Sequence, residues 1–304
     1  MLSLWRNRSL HPETLGLFYG FLGVLSFSFT LPATRLAVSG LDPTFVGLGR
    51  GLVAGSISAC LLLLTRQAWP TQRQWRSLAV VALGVVLGFP LLSAWAMQRL
   101  PAAHGAVVLG LLPLLTAVAG VLRAGERPAK LFWLASGLGS ATVVSFAASS
   151  GSGTAGFYAA DLVLLGAVLA AAIGYAEGGK LAQEIGGWQV ICWALVLSVP
   201  FVALPTLLAA QHNQPSPGIA AWFGFGYLCL VSQLVGFFAW YHGLAIGGVA
   251  RVSQMQLLQP FLTLIFAMLV LREVITPMTL AAAALVIASV AIGRKAKIRR
   301  SQPG

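Results

Sequence analysis

The sequence predicts an all-α integral membrane protein, and its composition is the first observation behind that prediction. The 304 residues are 58% hydrophobic and 9% charged, and the mean hydropathy is +0.86. An ordinary soluble domain carries about 25% charged residues, so these residues do not suffice to build a water-exposed surface. The second observation is a series of long apolar runs, and the third is a repeat that relates the two halves of the chain.

Ten apolar runs predict membrane-spanning helices. A helix that crosses the hydrocarbon layer needs about 20 mainly apolar residues, and the runs lack the alternation that is typical of a membrane barrel strand. Short polar or proline- and glycine-containing segments separate the runs. The predicted spans are residues 15–36, 43–65, 77–98, 102–122, 130–148, 158–179, 188–210, 218–240, 248–270 and 275–293.

The basic residues predict the orientation, because cytoplasmic loops carry an excess of lysine and arginine. With a cytoplasmic N-terminus, 15 of the 19 basic residues fall on the cytoplasmic side, Arg50 lies inside a span, and only Arg35, Arg99 and Arg272 fall on the other side. Both termini are therefore predicted to be cytoplasmic. This topology, together with attraction to anionic lipid, explains the net charge of +12 without a nucleic-acid partner.

Residues that match at a constant offset indicate an internal duplication. They occur in VLGLLPLLTAVAGVLRAGERPA, residues 108–129, and in QLLQPFLTLIFAMLVLREVITP, residues 256–277. The matched pairs are Pro113 and Pro260, Thr116 and Thr263, and Glu126 and Glu273, and all three share one offset, which is close to half the length of the chain. The two halves are predicted to be residues 1–150 and 151–304, with five spans each.

An odd number of spans per half places the second half upside down in the bilayer. Two inverted five-helix repeats around a central cavity are the architecture of alternating-access transporters, which bind substrate near the midplane between the repeats. Pro113 and Pro260 lie in the fourth and ninth spans, where a missing backbone donor permits a kink. That kink is either a hinge or a static adjustment of packing.

The layout of ten spans, with P-x-L-T followed by GE or RE in each half, resembles the EamA family of the drug/metabolite transporter superfamily. The resemblance covers essentially the whole chain. It implies export of a small metabolite, often an amino acid or a related compound, across the bacterial inner (plasma) membrane. It implies no enzymatic activity and names no substrate.

Arg50 is the first candidate substrate-binding residue, because it lies inside the second span in GLGRGLVAG. A charge in the membrane interior costs at least about 2.5–3.5 kcal/mol, so Arg50 needs a partner. A substrate carboxylate is one interpretation, and backbone carbonyls or snorkelling are the other. Gly47, Gly51 and Gly55 share its helix and are predicted to serve close helix packing.

Ser253, Gln256 and Gln259 are spaced three residues apart in the ninth span and so share a helix face. Polar amides at that depth line a cavity or form interhelical hydrogen bonds. The equivalent stretch of the first half is much less polar, which predicts a site weighted to the second half.

Trp95, Trp240 and Tyr241 end the third and eighth spans. Their rings are candidates for stacking on a substrate or closing a gate, with interface anchoring as the alternative. His104 and His242 lie near span ends and are candidate proton carriers, with hydrated loop positions as the alternative. Glu177, near the end of the sixth span, is the candidate carboxylate for proton coupling.

The remaining acids have predicted structural roles. Glu126 and Glu273 follow the fourth and ninth spans, where a carboxylate suits the N-terminal turn of the next helix. Asp161 is expected at a helix start. The membrane interior offers no clear acid for a cationic substrate, which favours a substrate with a carboxylate.

Other functional classes are less consistent with this sequence. No metal-ligand cluster, nucleotide site or cofactor motif is present, so neither a cofactor nor ATP-driven pumping is expected. A membrane-embedded enzyme would need clustered acids, histidines or cysteines, and the seven acids are scattered. A channel-like facilitator and a drug-efflux protein remain alternatives. The expected partners are a small-molecule substrate and membrane lipid, in a monomer or homodimer.

Overall fold

The computed structural model describes residues 12–124, 127–128, 130–150, 159–247, 252–295 and 298–299. In chain order its α-helices are α1 (Pro12–Ser28), α2 (Thr30–Ala37), α3 (Pro43–Leu64), α4 (Gln72–Val81), α5 (Phe89–Met97), α6 (Ala102–Leu109), α7 (Leu112–Ala124), α8 (Lys130–Ser150), α9 (Ala159–Ile185), α10 (Gly187–Ala210), α11 (Ile219–Tyr227), α12 (Gly236–Gly247), α13 (Gln259–Leu271) and α14 (Pro277–Lys295). A two-residue strand β1 (Arg127–Pro128) pairs antiparallel with β2 (Ile298–Arg299). The fold class is therefore all-α, as predicted.

Six helical stretches are long and apolar enough to cross a membrane. They are Thr14–Ala37, Pro43–Leu64, Gln72–Met97, Ala159–Ile185, Gly187–Ala210 and Ile219–Gly247. These stretches match the predicted spans one to three and six to eight. Shorter apolar helices at Ala102–Thr116, Met255–Leu271 and Pro277–Ser289 fall in predicted spans four, nine and ten. The chain is a multi-pass membrane protein.

Local sequence signals fix several helix starts. Asp42 caps α3, because its carboxylate accepts hydrogen bonds from the backbone N–H groups of Thr44 and Phe45, and Pro43 occupies the first helical position. Thr71 and Gln74 form a reciprocal capping box at the start of α4. These caps satisfy backbone donors at the points where the chain turns back into the bundle.

Prolines coincide with three helix interruptions near the middle of the bundle. A proline offers no N–H to the carbonyl four residues earlier, which breaks or bends the helix at that point. Pro32 follows the break between α1 and α2, and Pro113 follows the break between α6 and α7. Pro260 is at the start of α13, directly after a 3-10 helix over Ser253–Leu258. Pro113 and Pro260 thus occupy equivalent interruptions in the two halves.

Two π-helical segments widen the third and eighth spans. They cover Ala82–Gly88, between α4 and α5, and Leu228–Val235, between α11 and α12. The last residues of the two segments, Gly88 and Val235, are separated by the same number of residues as Pro113 and Pro260. The first residues, Ala82 and Leu228, are separated by one residue fewer. π-helical turns are rare and frequently occur at functional sites. Their recurrence at this offset is a structural counterpart of the sequence repeat.

Hydrogen bonds between helix ends identify the two ends of the bundle. At the Asn213 end, the Asn213 side chain accepts a bond from the Asp42 backbone N–H, and Glu273 accepts bonds from the start of α6. At the opposite end, called the Gln189 end, Gln189 donates to Gln67 and Ser77 donates to Glu177. The helices run between these two ends, and their interruptions lie between them.

Glycines on α3 allow neighbouring helices to approach closely. A Cβ atom at Gly47 would lie 2.7 Å from Cα of Leu91, and one at Gly51 would lie 3.1 Å from a methyl group of Val86. Gly55 faces α10 instead, where its Cβ would lie 2.6 Å from a methyl group of Val199. The three glycines therefore contact two different partners rather than one.

We expect Gly47→Ala to destabilise the protein, because the backbone at Leu91 must shift to admit the methyl group. The expected cost is about 1–3 kcal/mol, seen as a lower unfolding temperature in detergent. Gly226→Ala is the matched control, since a Cβ there meets nothing within 4 Å and alanine favours the helix. Equal unfolding temperatures for the two variants would contradict this account of Gly47.

Candidate functional site

A narrow cavity lies at the centre of the bundle. The helix breaks border this cavity through four lining residues, which are Thr30, Leu109, Leu112 and Gln259. Both π-helical segments border it as well, through Val85 and Ser232. Only about 10 Å³ is open to the centre of a water molecule, which is room for about one water. This conformation is therefore nearly closed around the cavity.

Repeat-related positions line the cavity from opposite sides. Val85 pairs with Ser232, and Leu112 pairs with Gln259, at the same offset as Pro113 and Pro260. Phe27 pairs with Tyr175, and Phe89 pairs with Phe237, at an offset that differs by a single position. In the first two pairs the first half supplies an apolar residue and the second half a polar one. The cavity is thus symmetric in position and asymmetric in chemistry.

Arg50 provides the positive charge of the cavity. Its side chain is 2% exposed, and its guanidinium carbon lies 6.0 Å from the centre of the Phe89 ring, the outer limit of a cation–π contact. Its Nε has no hydrogen-bond partner among the residues that the structure describes. Within the described ranges, no carboxylate forms an ion pair with Arg50. A buried guanidinium in this position favours an anionic group in the cavity.

Hydrogen bonds join the two halves around the cavity. The hydroxyl groups of Thr30 and Ser232 lie 2.9 Å apart, and the Gln233 amide donates to the Val85 carbonyl at 3.1 Å. Thr263 donates its hydroxyl to the Ser28 carbonyl at 2.9 Å. That carbonyl is the one to which Pro32 offers no N–H, so Thr263 supplies the missing donor.

The glutamines of the ninth span are deeply buried. Gln259 lines the cavity and Gln256 precedes it by one turn, with 4% and 1% exposure. Both amide atoms of Gln256 and the amide oxygen of Gln259 lack hydrogen-bond partners among the described residues. The side chain of Ser253 lies outside the described part. Unpaired amides next to the cavity favour contact with water or a polar ligand.

The aromatic wall of the cavity differs from the predicted one. Phe27 and Tyr175 stack at 6.0 Å between ring centres, and Trp240 lies behind them, 5.9 Å from Tyr175. Tyr241 is fully buried and donates to the Gly174 carbonyl. Neither Trp240 nor Tyr241 lines the cavity. They support the rings that do.

Trp95 stands apart from its repeat counterpart Trp240. It is 43% exposed, and its indole N–H donates to the Thr44 hydroxyl at 3.2 Å. Thr44 is at the start of α3, so Trp95 belongs to the Asn213 end and not to the cavity. Its position fits the alternative of anchoring at the membrane interface.

His104 is not a hydrated loop histidine, which corrects that alternative. It belongs to the first turn of α6, is 7% exposed, and places Nε2 2.6 Å from Oδ1 of Asp161. Asp161 is in the first turn of α9, as expected, and is 3% exposed. The pair lies at the Asn213 end and connects the two halves.

His242 and Glu177 both lie at the Gln189 end. The ring of His242 is exposed and meets Tyr19 edge-on, with centres 4.7 Å apart. Glu177 accepts a hydrogen bond from Ser77 and borders a polar hollow together with Arg73, Lys180 and Glu184. Neither candidate coupling residue borders the central cavity.

Glu273 caps a different helix from the one predicted. Its carboxylate accepts from the backbone N–H groups of Ala102 at 2.9 Å and of Ala103 at 2.8 Å, at the start of α6. The expected partner was the helix that follows Glu273, which is α14. The carboxylate still stabilises the N-terminal turn of a helix, as predicted, because it complements the positive end of the helix dipole. That helix, α6, belongs to the first half of the chain, whereas Glu273 belongs to the second. Glu126 lies outside the described residues.

Sequence reasoning overlooked several lining residues. Thr30, Ser232, Tyr175, Phe27 and Phe237 border the cavity although no motif marked them. One available signal was Pro32 in the first span, which predicts an interruption beside Thr30. The other was the repeat spacing, because the counterpart of a lining residue in one half lines the cavity from the other half.

The fold and this cavity together define a multi-pass membrane protein of the transporter class. The EamA-like transporter family model matches residues 14–147 and again residues 158–293. The chain therefore belongs to the EamA-like transporter family of the drug/metabolite transporter superfamily. The resemblance stated from the sequence is confirmed.

Individual relatives agree with this assignment. The protein named "Uncharacterized transporter YdeK" of Bacillus subtilis (strain 168) is 47% identical over 264 residues, which cover 87% of this chain and 91% of that protein. A solved structure described only as "Crystal structure of protein" has a TM-score of 0.63 at 19% identity, and covers 92% of this chain and 96% of its own. At that identity the solved structure supports the fold alone.

We expect Thr263→Val to destabilise the protein by about 1–3 kcal/mol, because the Ser28 carbonyl loses the donor that replaces the absent N–H of Pro32. Thr116→Val is the matched control at the repeat-related position. The Thr116 hydroxyl donates to the Leu112 carbonyl within its own helix. Unlike Pro32, residue 116 still has a backbone N–H for the carbonyl four residues earlier, so the loss of the hydroxyl does not leave that carbonyl without a donor. Thermal unfolding in detergent compares the two, and a larger loss for Thr116→Val would contradict the role of Thr263.

Proposed function

We propose that the protein is a secondary transporter that exports a small carboxylate-bearing metabolite, such as an amino acid, by alternating access. The observation that carries the proposal is Arg50. It is a nearly fully buried cation in a central cavity, and no described carboxylate forms an ion pair with it. A substrate carboxylate would supply that counter-charge, and a guanidinium binds a carboxylate with charge-assisted, often bidentate hydrogen bonds.

The rest of the cavity suits the remainder of such a substrate. The Thr30 and Ser232 hydroxyls and the Gln259 amide offer acceptors for an amino or hydroxyl group. Phe27, Tyr175 and the other ring residues offer apolar surface for a side chain.

The inverted arrangement of the two halves is supported by which helix ends meet. In the first half, α3 starts at the Asn213 end, where Asp42 meets Asn213, and the loop after it reaches Gln67. In the second half, the equivalent α10 starts near Gln189 and ends near Asn213. The two equivalent helices thus run in opposite directions, as two inverted five-span repeats require.

The proposed cycle opens the cavity toward one end of the bundle at a time. The helix interruptions at Pro32, Pro113 and Pro260 are suited to act as hinges, since the helix hydrogen-bond ladder is already broken there. The basic residues favour a cytoplasmic Gln189 end and cytoplasmic termini, so export proceeds toward the Asn213 end of a bacterial inner membrane. The driving force is the substrate gradient or proton exchange.

The substrate and the transport mode can be tested together. A bacterium that expresses the chain is challenged with toxic levels of single amino acids or their analogues, and relief of toxicity identifies the substrate. Purified protein in vesicles should then show saturable counterflow of that compound. Flux that does not saturate and shows no counterflow would favour a channel-like facilitator instead.

We expect Arg50→Gln to reduce counterflow about 10- to 100-fold, because a charge-assisted hydrogen bond contributes about 1.5–3 kcal/mol. The matched control is Arg99→Gln, which removes an exposed arginine after α5 and should leave counterflow unchanged. Both variants are compared at equal amounts of folded protein in the vesicles. Undiminished counterflow by Arg50→Gln would reject the proposed role of this residue.

Labelling at equivalent ends of the two halves tests the inversion. In a chain without native cysteines, Gln72→Cys places an exposed thiol at the start of α4, and Ser216→Cys places one in the loop before α11. Because the two halves are inverted, an impermeant maleimide added to intact cells should label only Ser216→Cys, on the outer side. Labelling of both thiols from the same side would refute the inverted repeat.

A further inference from the structure

A cluster of three tryptophans lies at the Gln189 end of the bundle. The ring centre of Trp193, on α10, is 5.2 Å from that of Trp69, in the loop between α3 and α4, and 5.6 Å from that of Trp75 on α4. Trp193 is buried, whereas Trp69 is 78% exposed. The cluster therefore joins elements of both halves and presents an aromatic surface outward. Tryptophan is enriched where membrane meets water, because its ring is apolar and its N–H is polar.

Two arginines beside this cluster carry charge that no acid in the described part of the chain neutralises. Arg66 closely follows α3, Arg76 follows Trp75 on α4, and both are exposed. Neither forms an ion pair within the described ranges. The sequence contains no acid between Asp42 and Glu126, so the loop and the helix that carry these arginines offer no counter-charge.

The acids of the neighbouring helix α9 face other bases. Glu177 and Glu184 border the polar hollow together with Arg73 and Lys180, so two acids there meet two bases. Neither of the two arginines beside the tryptophan cluster borders that hollow. The hollow is balanced in charge, and the surface next to it has a net positive charge.

Exposed leucines extend this surface toward the middle of the membrane. Leu63 and Leu64 are in the last turn of α3, just before Arg66, and Leu83 lies about two turns beyond Arg76 in the third span. Leucines that are exposed on a membrane span contact acyl chains. An arginine near the end of such a span extends its guanidinium group to the level of the lipid headgroups.

We propose that this surface is a binding site for the headgroup of an anionic phospholipid. It consists of Arg66, Trp69, Trp75, Arg76 and Trp193 and is called the tryptophan–arginine surface. The guanidinium groups attract the lipid phosphate, the indole rings pack against the region below it, and the leucines contact the acyl chains. Because α10 belongs to the second half, a bound lipid contacts both halves at the Gln189 end. The inference is independent of the transported substrate and of transport itself.

The Asn213 end contains the repeat-related aromatic pair. Trp222 of α11 is the counterpart of Trp75 at the offset of the repeat. Its ring centre lies 6.3 Å from that of Phe45 on α3, and Phe45 is the counterpart of Trp193 at an offset that differs by a single position. An aromatic pair that joins the two halves is thus present at both ends of the bundle.

The positive charge, in contrast, is present beside only one of these aromatic pairs. At the offset of the repeat, Phe223 corresponds to Arg76 and Asn213 corresponds to Arg66. No lysine or arginine occurs in the sequence from residue 181 to residue 250. The repeat therefore accounts for the aromatic rings, and the two arginines distinguish the Gln189 end. Attraction of an anionic headgroup is expected there and not beside Trp222.

Native mass spectrometry of the purified protein in an uncharged detergent measures lipid binding directly. Dioleoyl phosphatidylglycerol is titrated, and dioleoyl phosphatidylcholine serves as a lipid with the same chains and no net charge. The parent protein should bind phosphatidylglycerol more tightly. Arg66→Gln and Arg76→Gln should each raise its dissociation constant about fivefold, the contribution of one basic residue near a membrane surface, and should leave phosphatidylcholine binding unchanged.

Arg272→Gln is the matched control for Arg66→Gln. Both arginines are exposed, each closely follows the end of an apolar helix, and their φ angles are 55° and 48°. The two substitutions therefore change net charge and backbone strain alike. Arg272→Gln lies at the Asn213 end and should leave the dissociation constant for phosphatidylglycerol unchanged. Unfolding temperatures measured without lipid verify that all variants are folded.

Four outcomes would overturn the proposal. Unchanged affinity in both Arg66→Gln and Arg76→Gln would remove the site, and an equal loss in Arg272→Gln would show that net charge alone attracts the lipid. Equal affinity of the parent for both lipids would leave a membrane anchor without a headgroup site. Displacement of the lipid by an equal concentration of glycerol 3-phosphate would assign the arginines to a soluble anion.

A second copy of the chain is the remaining occupant that the same spectra detect. A dimer mass that disappears in Arg76→Gln and persists in Arg272→Gln would assign the surface to a dimer interface and overturn the lipid site. None of these measurements involves transport, so a failure of the proposed transport function would leave their interpretation intact.

Discussion

Every backbone carbonyl inside the hydrocarbon layer needs a donor, and this requirement shapes the centre of the protein. Within a continuous helix, each such carbonyl accepts a hydrogen bond from an N–H group of the same helix. At the breaks before Pro32, Pro113 and Pro260, carbonyl groups lose that donor. The protein resolves the first break by donating the Thr263 hydroxyl to the Ser28 carbonyl. Irregular backbone is tolerated at this depth only where it is enclosed by protein or borders a cavity, so the breaks and the cavity belong together.

The cavity is lined by equivalent positions of the two halves, but the side chains at those positions differ in polarity. The two halves match the same family model and place equivalent positions on opposite walls, as with Leu112 and Gln259 or Val85 and Ser232. Walls that differ in this way suit the proposed substrate, whose two ends differ in chemistry. The second half has polar side chains at positions where the first half has apolar ones, and Arg50 supplies a charge from the first half.

The overall architecture could be predicted from the sequence to a large extent. Hydropathy located the six long apolar stretches, because length and apolarity are local properties of the chain. The repeat spacing located both equivalent helix breaks, since proline acts on its own helix. The repeat spacing did not reveal that the two tryptophans have different surroundings. Trp95 lies at an exposed helix end, and Trp240 lies behind the cavity wall. Repeat-related residues share a position in the fold without sharing neighbours.

The sequence by itself determined the class of protein, the apolar segments, the duplication and the burial of Arg50 in a span. Only the tertiary structure decided which side chains meet: His104 with Asp161, Glu273 with the start of α6, and Thr30 with Ser232. The physical reason is that helical periodicity fixes the face on which a residue lies, whereas its partner depends on which helix packs against that face. Those partners come from the other half of the chain.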